Sequence, residues 1–258
     1  AMEEAVKHDT VLSFHEEEPS LVPSPGVNYG SEAAKQFGVP GAMAAAETAM
    51  IARDIALALD TGARVVFQHV SCGQSVALIR AGKALGARVY AEVTPHHLSL
   101  TEDDVPAHGT YARMNPPLRR EADRQALIEG LHDGTIDMIA TDHAPHTEEE
   151  KAREFAKAPS GITGLETAFS VCNTYLVQTG RLTPMQLIDK MSKSPAEIYG
   201  LAGRAVAEGN LARLVLLDWD GETVYNTYHS KAVNTPFTGM PLTGAPRAIV
   251  TGTRVTAR

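Results

Sequence analysis

The chain has 258 residues, and 31 acidic against 23 basic side chains give it a formal charge of −8. This acidic balance argues against a nucleic-acid or anionic-membrane binder, which needs a basic surplus. Apolar residues at 43% and charged residues at 21% exclude a disordered chain. The two cysteines, Cys72 and Cys172, exclude a disulfide scaffold and suit a reducing cytosol, so we expect a cytoplasmic protein. No apolar run is long enough for a membrane span.

Short β-rich runs alternate with helical patterns over the first 140 residues. The N-terminal residues read as the middle or end of a helix without a cap. Strands are predicted near residues 11, 66, 90 and 138, and helices at 42–60, 74–85 and 121–131. This alternation predicts parallel βαβ units in an α/β fold.

The pattern changes after about residue 160. Helices are predicted at 164–176, 183–191 and 195–201, followed by strand-like residues with Gly, Pro and Thr turns from 211 to 258. We therefore predict two domains, 1–204 and 205–258, of which the second is part of a small β-rich appendage.

Metal-capable side chains follow three of the four predicted parallel strands. They are His15, His69 and Asp142, and parallel α/β barrels build their sites at this end of the strands. Each alone has an ordinary explanation, a hydrogen-bonded histidine or an aspartate that caps a helix. Together, two imidazoles and a carboxylate favour a zinc or related metal site in which Asp142 also accepts a proton.

Other polar residues are candidates for substrate contacts. Asn115 lies in a loop stiffened by two prolines and offers both a donor and an acceptor to an amide or ureide edge, although it is also an ordinary turn residue. Gly161 allows close backbone approach. We expect His96 and His97 to lie on a strand and to point to opposite faces, in a structural role. The glutamates at 16–18 and 148–150 are expected to be solvated.

Several motifs occur in the order found in dihydroorotases of the long bacterial class, and the chain resembles that family over nearly its whole length. The motifs are His69-Val70-Ser71, Glu92-Val93-Thr94-Pro95-His96-His97, Asn115-Pro116-Pro117-Leu118-Arg119, Gly134-Thr135-Ile136-Asp137, Ala140-Thr141-Asp142-His143-Ala144-Pro145-His146, Gly164-Leu165-Glu166-Thr167-Ala168 and Asn234-Thr235-Pro236-Phe237. Hydantoinases and allantoinases share the metal ligands but usually not this combination.

The resemblance implies a zinc-dependent cyclic amidohydrolase that interconverts L-dihydroorotate and N-carbamoyl-L-aspartate in pyrimidine synthesis. It implies one or two zinc ions, His15 and His69 as the ligands of strands five and six, and Asp142 as the ligand of strand eight and general acid/base. Asn115, His146, Ser160 and Gly161 resemble substrate-contacting residues. A phenylalanine is common in the family where Ser160 stands, so the local pocket shape differs.

The chain also departs from the family. No His-x-His pair of a first strand exists, so the chain resembles the second half, strands five to eight, of a TIM-type (β/α)8 barrel with part of the appended domain. We expect the N-terminal half to have been cut away, omitted or supplied by a separate chain, and the 258 residues alone to be inactive. A homodimer is possible. The alternatives are another cyclic amidohydrolase, acting on hydantoin, dihydropyrimidine or allantoin, and a non-catalytic homologue that serves as an assembly partner.

Overall fold

Four short parallel strands form the sheet that positions the candidate site. In the computed structural model, which describes residues 1–201 and 206–257, they are β1 (Val11–Phe14), β2 (Arg64–Phe67), β3 (Val89–Val93) and β4 (Met138–Ile139). They pair in the order β1-β2-β3-β4, all parallel. The predicted βαβ arrangement is confirmed, and β4 is shorter than the sequence indicates.

Helices cover the sheet and fill the connections between the strands. They are α1 (Met2–Lys7), α2 (Glu32–Gln36), α3 (Ala44–Thr61), α4 (Gly73–Ala84), α5 (Pro95–Ser99), α6 (Val105–His108), α7 (Glu121–Asp133), α8 (Glu148–Lys151), α9 (Ala168–Cys172), α10 (Pro184–Ile188) and α11 (Ser194–Ile198). Short 3-10 turns lie at Pro19–Leu21, Glu102–Asp104 and Gly109–Ala112. None of the helices in residues 1–201 and 206–257 has the length and apolar character needed to cross a membrane.

The three long helices lie within two residues of their predicted bounds, because local signals define their ends. Helix α3 is rich in alanine and stops at Gly62, which adopts a left-handed conformation with φ of 72°. Helix α7 stops in the same way at Gly134, with φ of 83°. Glycine lacks a Cβ, so it adopts this conformation without a steric penalty.

The main core lies between the parallel sheet and helices α3, α4 and α7. Fully buried side chains from these elements include Ile51, Phe67, Ile79 and Leu127. Helices α3 and α4 pack closely because Gly82 leaves room for Ile55, whose nearest carbon would lie 2.8 Å from a Cβ at position 82.

One prediction of secondary structure is wrong, and three predicted helices are helical with different bounds. His96 and His97 lie on helix α5, not on a strand, because the hydroxyl of Thr94 accepts from the His97 N–H and caps that helix and Pro95 begins it. The predicted helices 183–191 and 195–201 form one helical path, because a π-helical segment, Asp189–Lys193, joins α10 to α11. The predicted helix 164–176 begins only at Ala168 and continues through a π segment, Asn173–Val177.

The C-terminal segment forms an antiparallel sheet of β5 (Arg213–Val224), β6 (Pro241–Thr251) and β7 (Arg254–Ala257). Trp219 of β5 meets Phe169 of α9 edge-on, with ring centroids 5.1 Å apart. The predicted strand character of this segment is confirmed. The predicted domain boundary, between residues 204 and 205, lies outside the described residues.

Candidate metal centre and substrate loops

Two histidines from neighbouring strands meet at the carboxyl end of the parallel sheet. Phe14 and Phe67 are partners in the pairing of β1 with β2, so His15 and His69 leave the sheet side by side. Nδ1 of His15 lies 2.9 Å from Nε2 of His69, and the ring planes are 75° apart. Although 54 residues separate them in sequence, parallel pairing brings the two predicted ligands together.

Burial favours the neutral form of the His69 ring. Only 8% of His69 is exposed, and this burial lowers its pKa below the ordinary value of 6.5, with the charge of Asp142 acting in the opposite direction. A neutral imidazole has one nitrogen lone pair free for hydrogen bonding or for a metal. His69 therefore meets the first requirement of a metal ligand.

Asp142 follows β4 and lies within electrostatic reach of the histidine pair. Its backbone has φ of 46°, a left-handed conformation that is uncommon for a residue with a side chain. Its negative charge acts on both His69 and Glu92. Over residues 1–201 and 206–257, however, no three His, Cys, Asp or Glu side chains are assembled as a ready metal site. The two imidazoles are within hydrogen-bond distance of each other, and the Asp142 carboxylate does not form a three-residue cluster with them.

The residues present nevertheless fit a zinc-type ion. Two imidazole nitrogens face each other, and only one of them can carry the proton of their hydrogen bond. Two imidazoles and a carboxylate are a common zinc donor set, and here all three follow strands of one parallel sheet. His15 and His69, with Asp142, would hold such an ion.

Glu92, the last-but-one residue of β3, is a buried carboxyl beside this pair. It is 8% exposed, and its burial raises its pKa to about 7, against the lowering effect of a hydrogen bond from the His69 backbone. Its own backbone carbonyl accepts from the Val70 N–H at 2.9 Å. Glu92 thus contacts the turn that carries His69. In the sequence, only its position near the end of a strand indicated this contact.

Glu17 joins the histidine pair to Asn115. Its Oε2 accepts from Asn115 Nδ2 at 2.8 Å and lies 3.3 Å from His15 Nε2. Asn115 Oδ1 is buried without a protein partner among the described residues. The amide therefore has one oxygen free to accept from a ligand, as the sequence interpretation requires.

The prediction that residues 16–18 are solvated is wrong for Glu16. This residue is 6% exposed, because it packs between β1 and helix α3 beside Asp54. Burial, reinforced by the charge of Asp54, raises the pKa of Glu16 to about 8. The sequence feature that could have indicated this burial is that Glu16 and Glu17 directly follow His15 at the end of a strand.

The other predicted substrate residues form a second group, built from two loops. His146 Nε2 lies 2.9 Å from the Ser160 carbonyl oxygen, and the Ala144 N–H donates to the Ile162 carbonyl at 2.8 Å. Gly161 has φ of 132°, and a Cβ there would lie 2.6 Å from the Ala144 Cβ. Glycine is required at this position because the two loops touch.

Asn234, from the connection between β5 and β6, holds both loops. Its Nδ2 donates to the carbonyls of Ala144 and Gly161, at 3.0 and 3.1 Å, and its Oδ1 accepts from the His146 N–H at 3.0 Å. The residue is 1% exposed. Its motif supported the family resemblance, but local sequence gives no reason to place it between residues 144 and 161.

Both ring nitrogens of His97 contact protein groups. Its Nδ1 lies 2.7 Å from the Thr94 hydroxyl, and its Nε2 lies 3.1 Å from the Pro116 carbonyl, beside Asn115. Burial lowers its pKa to about 3. The ring thus supports the loop of Asn115 in its neutral form.

The fold and this arrangement of strand-end residues define the class of protein. The sequence profile of the amidohydrolase family matches residues 3–254, and the chain belongs to that family.

Curated relatives are more specific. The chain is 53% identical to a dihydroorotase of Clostridioides difficile over 244 residues, which are 95% of this chain and 58% of that protein. It is 46% identical to a dihydroorotase of Clostridium acetobutylicum over 252 residues, 97% of this chain and 59% of that protein. The chain therefore spans a little under three fifths of the length of these relatives.

Solved structures with the same fold are hydantoinases. An L-hydantoinase from Arthrobacter aurescens is similar with a TM-score of 0.85 and 28% identity, over 100% of this chain and 59% of that one. A D-hydantoinase from a Thermus species gives 0.87 and 26% over the same shares. The α/β fold with its parallel sheet is thus shared with these hydantoinases.

Proposed function

We propose that this chain is the larger part of a zinc-dependent dihydroorotase, which reversibly hydrolyses the cyclic amide of L-dihydroorotate to N-carbamoyl-L-aspartate in pyrimidine biosynthesis. The observation that carries the proposal is 53% identity to a dihydroorotase over 95% of the chain. The pairing of His15 with His69 beside Asp142 supports it. The two cysteines, both free and buried, are in keeping with a reducing cytosol.

Each candidate residue has a role in this reaction. Zinc, when bound by His15, His69 and Asp142, supplies Lewis acidity to the amide carbonyl and lowers the pKa of water. Asp142 accepts the proton of the attacking water and delivers it to the leaving ring nitrogen. The free Oδ1 of Asn115 accepts from a ring N–H. The loops of His146 and of Ser160 and Gly161 bind the substrate through imidazole and main-chain groups.

We further propose that the parallel sheet is half of a (β/α)8 barrel, with β1 to β4 as strands five to eight and residues 205–258 as part of the small domain. Strands β1 and β4 are the edges of the described parallel sheet, and an open parallel edge is unfavourable in water. The chain matches 58% of the first relative, so the unmatched part of that relative is long enough to contain the other strands. Polypeptide that completes the barrel would be the partner needed for activity, and a homodimer remains compatible with it.

Complementation tests the proposal. The chain would be expressed with zinc, alone and together with the part of the C. difficile relative that it does not match, and assayed with dihydroorotate and N-carbamoyl-L-aspartate. We expect turnover only with the complementing segment. Absence of turnover from a complex that forms and contains zinc would contradict the proposal and favour a non-catalytic homologue.

A hydantoinase-type activity is the second candidate, because the similar solved structures carry that name. Dihydroorotate has a six-membered ring and a carboxylate, whereas hydantoin is a neutral five-membered ring, so the same complex assayed on both substrates separates the two functions. Faster turnover of the neutral hydantoin would select the second candidate.

A further inference from the structure

A buried carboxylate outside the candidate site faces the turn that follows His69. Glu47 lies in the first turn of α3 and is 5% exposed. Its oxygens accept from the N–H of Ser71 at 3.1 Å, the N–H of Cys72 at 3.4 Å and the Ser75 hydroxyl at 2.5 Å, and also from the Ser71 hydroxyl. These partners all donate, which is an arrangement that a carboxylate accepts and an amide cannot reproduce.

Glu47 of α3 lies at the N-terminus of helix α4. The N-cap residue, Cys72, makes no side-chain cap hydrogen bond of its own, and the N–H of the first helical residue, Gly73, donates to Asp123 Oδ1 at 2.9 Å. Glu47 accepts from the two N–H groups that precede the helix, those of Ser71 and Cys72, and its negative charge is favourable at this end of a helix. It therefore joins the start of α3 to the start of α4.

Only Val70 separates this contact from His69. The His69 backbone has φ of 35°, which costs energy for a residue with a Cβ and persists only where the surroundings enforce it. Two hydrogen bonds enforce it here: the Val70 N–H to the Glu92 carbonyl, and the Ser71 N–H to Glu47. The carboxylate thus fixes the turn that points the His69 ring at His15.

The same network reaches the loop of Asn115. Arg119, which ends that loop and is 4% exposed, donates from Nε to the Ser71 hydroxyl at 3.2 Å and from Nη1 to the Ala42 carbonyl at 2.8 Å. The Ser71 hydroxyl therefore accepts a hydrogen bond from Arg119 and donates one to Glu47. One buried chain of hydrogen bonds connects the turn of His69 with the segment of Asn115.

We propose that Glu47 is a positioning residue that sets the His69 ring against His15 and, through Ser71 and Arg119, holds the Asn115 loop. The proposal rests on the proposed function for its consequence, but its structural content is independent of any substrate.

The test is Glu47→Gln in the 258-residue chain, with ¹⁵N NMR of the histidine rings and a zinc dissociation constant from competition with a chelator. We expect the ring signals of His15 and His69 to shift or double, because the amide cannot accept from all the donors. We expect zinc binding to weaken about tenfold, the lower end of losses seen when outer-shell partners of a metal ligand are removed.

Asp137→Asn is the matched control. Asp137 also accepts a backbone N–H, from Ala91 at 2.8 Å, but it precedes β4 at the opposite end of the sheet. Equal losses of melting temperature in both variants, with unchanged histidine signals and zinc affinity in Glu47→Gln, would overturn the proposal. Glu47 would then only stabilise the fold.

Ser71→Ala keeps the question decidable if Glu47→Gln does not fold. It removes the hydroxyl that links Arg119 to Glu47 and leaves the hydrogen bonds from the backbone N–H groups of Ser71 and Cys72 to Glu47. We expect the side-chain amide signal of Asn115 to shift, and an unchanged signal would contradict the connection. The NMR arms need no metal, so a wild-type chain that binds no zinc would count against the proposed function without deciding the role of Glu47.

Discussion

Backbone strain at single residues marks the candidate site. His69 and Asp142 have φ of 35° and 46°, and each follows a strand of the parallel sheet. This conformation costs free energy in residues with a Cβ, so it occurs mainly where the orientation of a side chain has to be fixed. The orphan oxygen of Asn115 lies beside the same strand ends. The strained backbone and the unpaired acceptor both point to ligand binding.

The first prediction concerns Asp142. Asp142→Asn should abolish turnover in the complemented enzyme and weaken zinc binding, because the amide is a poor ligand and cannot take a proton from water. Turnover of dihydroorotate and zinc content per chain are the measurements. Asp60→Asn, an exposed carboxylate at the end of α3, is the control. Full activity of the Asp142 variant with normal zinc content would exclude both roles.

At the scale of elements, loops rather than strands carry the second group of site residues. The segments 142–146 and 158–162 pair with each other, and Asn234 joins them from the C-terminal connection. Lys151 of α8 adds a further support, since its Nζ donates to the carbonyls of Thr110 and Pro159, each at 2.9 Å. Side chains thus fix loops whose backbone has little regular pairing.

The second prediction is that Asn234→Ala loosens both loops. The change leaves buried carbonyls at residues 144 and 161 and the His146 N–H without partners, at a cost of about 1–3 kcal/mol. Hydrogen exchange at the Ala144 amide should accelerate, and the melting temperature should fall. Asn226→Ala, at an exposed position, should change neither. Unaltered exchange at Ala144 would show that the loops hold each other without Asn234.

The third prediction is a pH dependence set by Lys151. Burial, with the charge of Arg113 in the same direction, lowers the pKa of Lys151 from 10.5 to about 8. Between these values the unfolded chain binds more protons than the folded chain, so this residue makes stability rise with pH, by at most about 1.4 kcal/mol per unit.

Urea unfolding from pH 8 to 10.5 measures this contribution. Lys151→Met should lose the rise that Lys151 supplies, and Lys157→Met should keep it, because Lys157 is exposed and forms an ion pair with Glu154 on the surface. Parallel slopes in the two variants would mean that Lys151 titrates as an ordinary lysine.

At the scale of the whole molecule, the antiparallel sheet is tied to the helical layer through α9 and the π segment after it. Asn173 is fully buried, and its Nδ2 donates to the carbonyls of Trp219 and Thr243, at 2.8 and 2.9 Å. Trp219 also packs on Phe169. The described residues of the C-terminal sheet therefore pack against the helices that cover the parallel sheet.

The fourth prediction uses the single tryptophan as a probe. Trp219 fluorescence and far-UV circular dichroism should report one coincident unfolding transition, because the two sheets are coupled. In Asn173→Ala the fluorescence transition should come first, since the carbonyls of Trp219 and Thr243 each lose a hydrogen bond, at a total cost of about 1–3 kcal/mol. Separate transitions in the unaltered chain would show that the C-terminal sheet unfolds independently.

Much of the secondary structure of this protein could be predicted from its sequence alone. Hydrophobic period and glycine caps are local, so the bounds of α3, α4 and α7 and the parallel strands could be predicted. Because parallel strands end at one edge of a sheet, the meeting of His15 with His69 could be expected from their places after strands. Helix α5 was not predicted, because the Thr94 cap and Pro95 begin a helix where a strand end was expected, and β4 is shorter than expected.

Only the tertiary structure decided which polar groups share hydrogen bonds. Glu17 with Asn115 spans 98 residues, His146 with Asn234 spans 88, and Glu47 with Ser71 joins the start of one helix to the start of another. Such contacts depend on how whole elements pack, and a run of glutamates reads as solvated until a neighbouring helix covers it. Glu16 and Glu47 owe their burial, and Glu17 its partial burial, to the packing of helix α3 and of the Asn115 loop against the strand ends, which no local sequence pattern records.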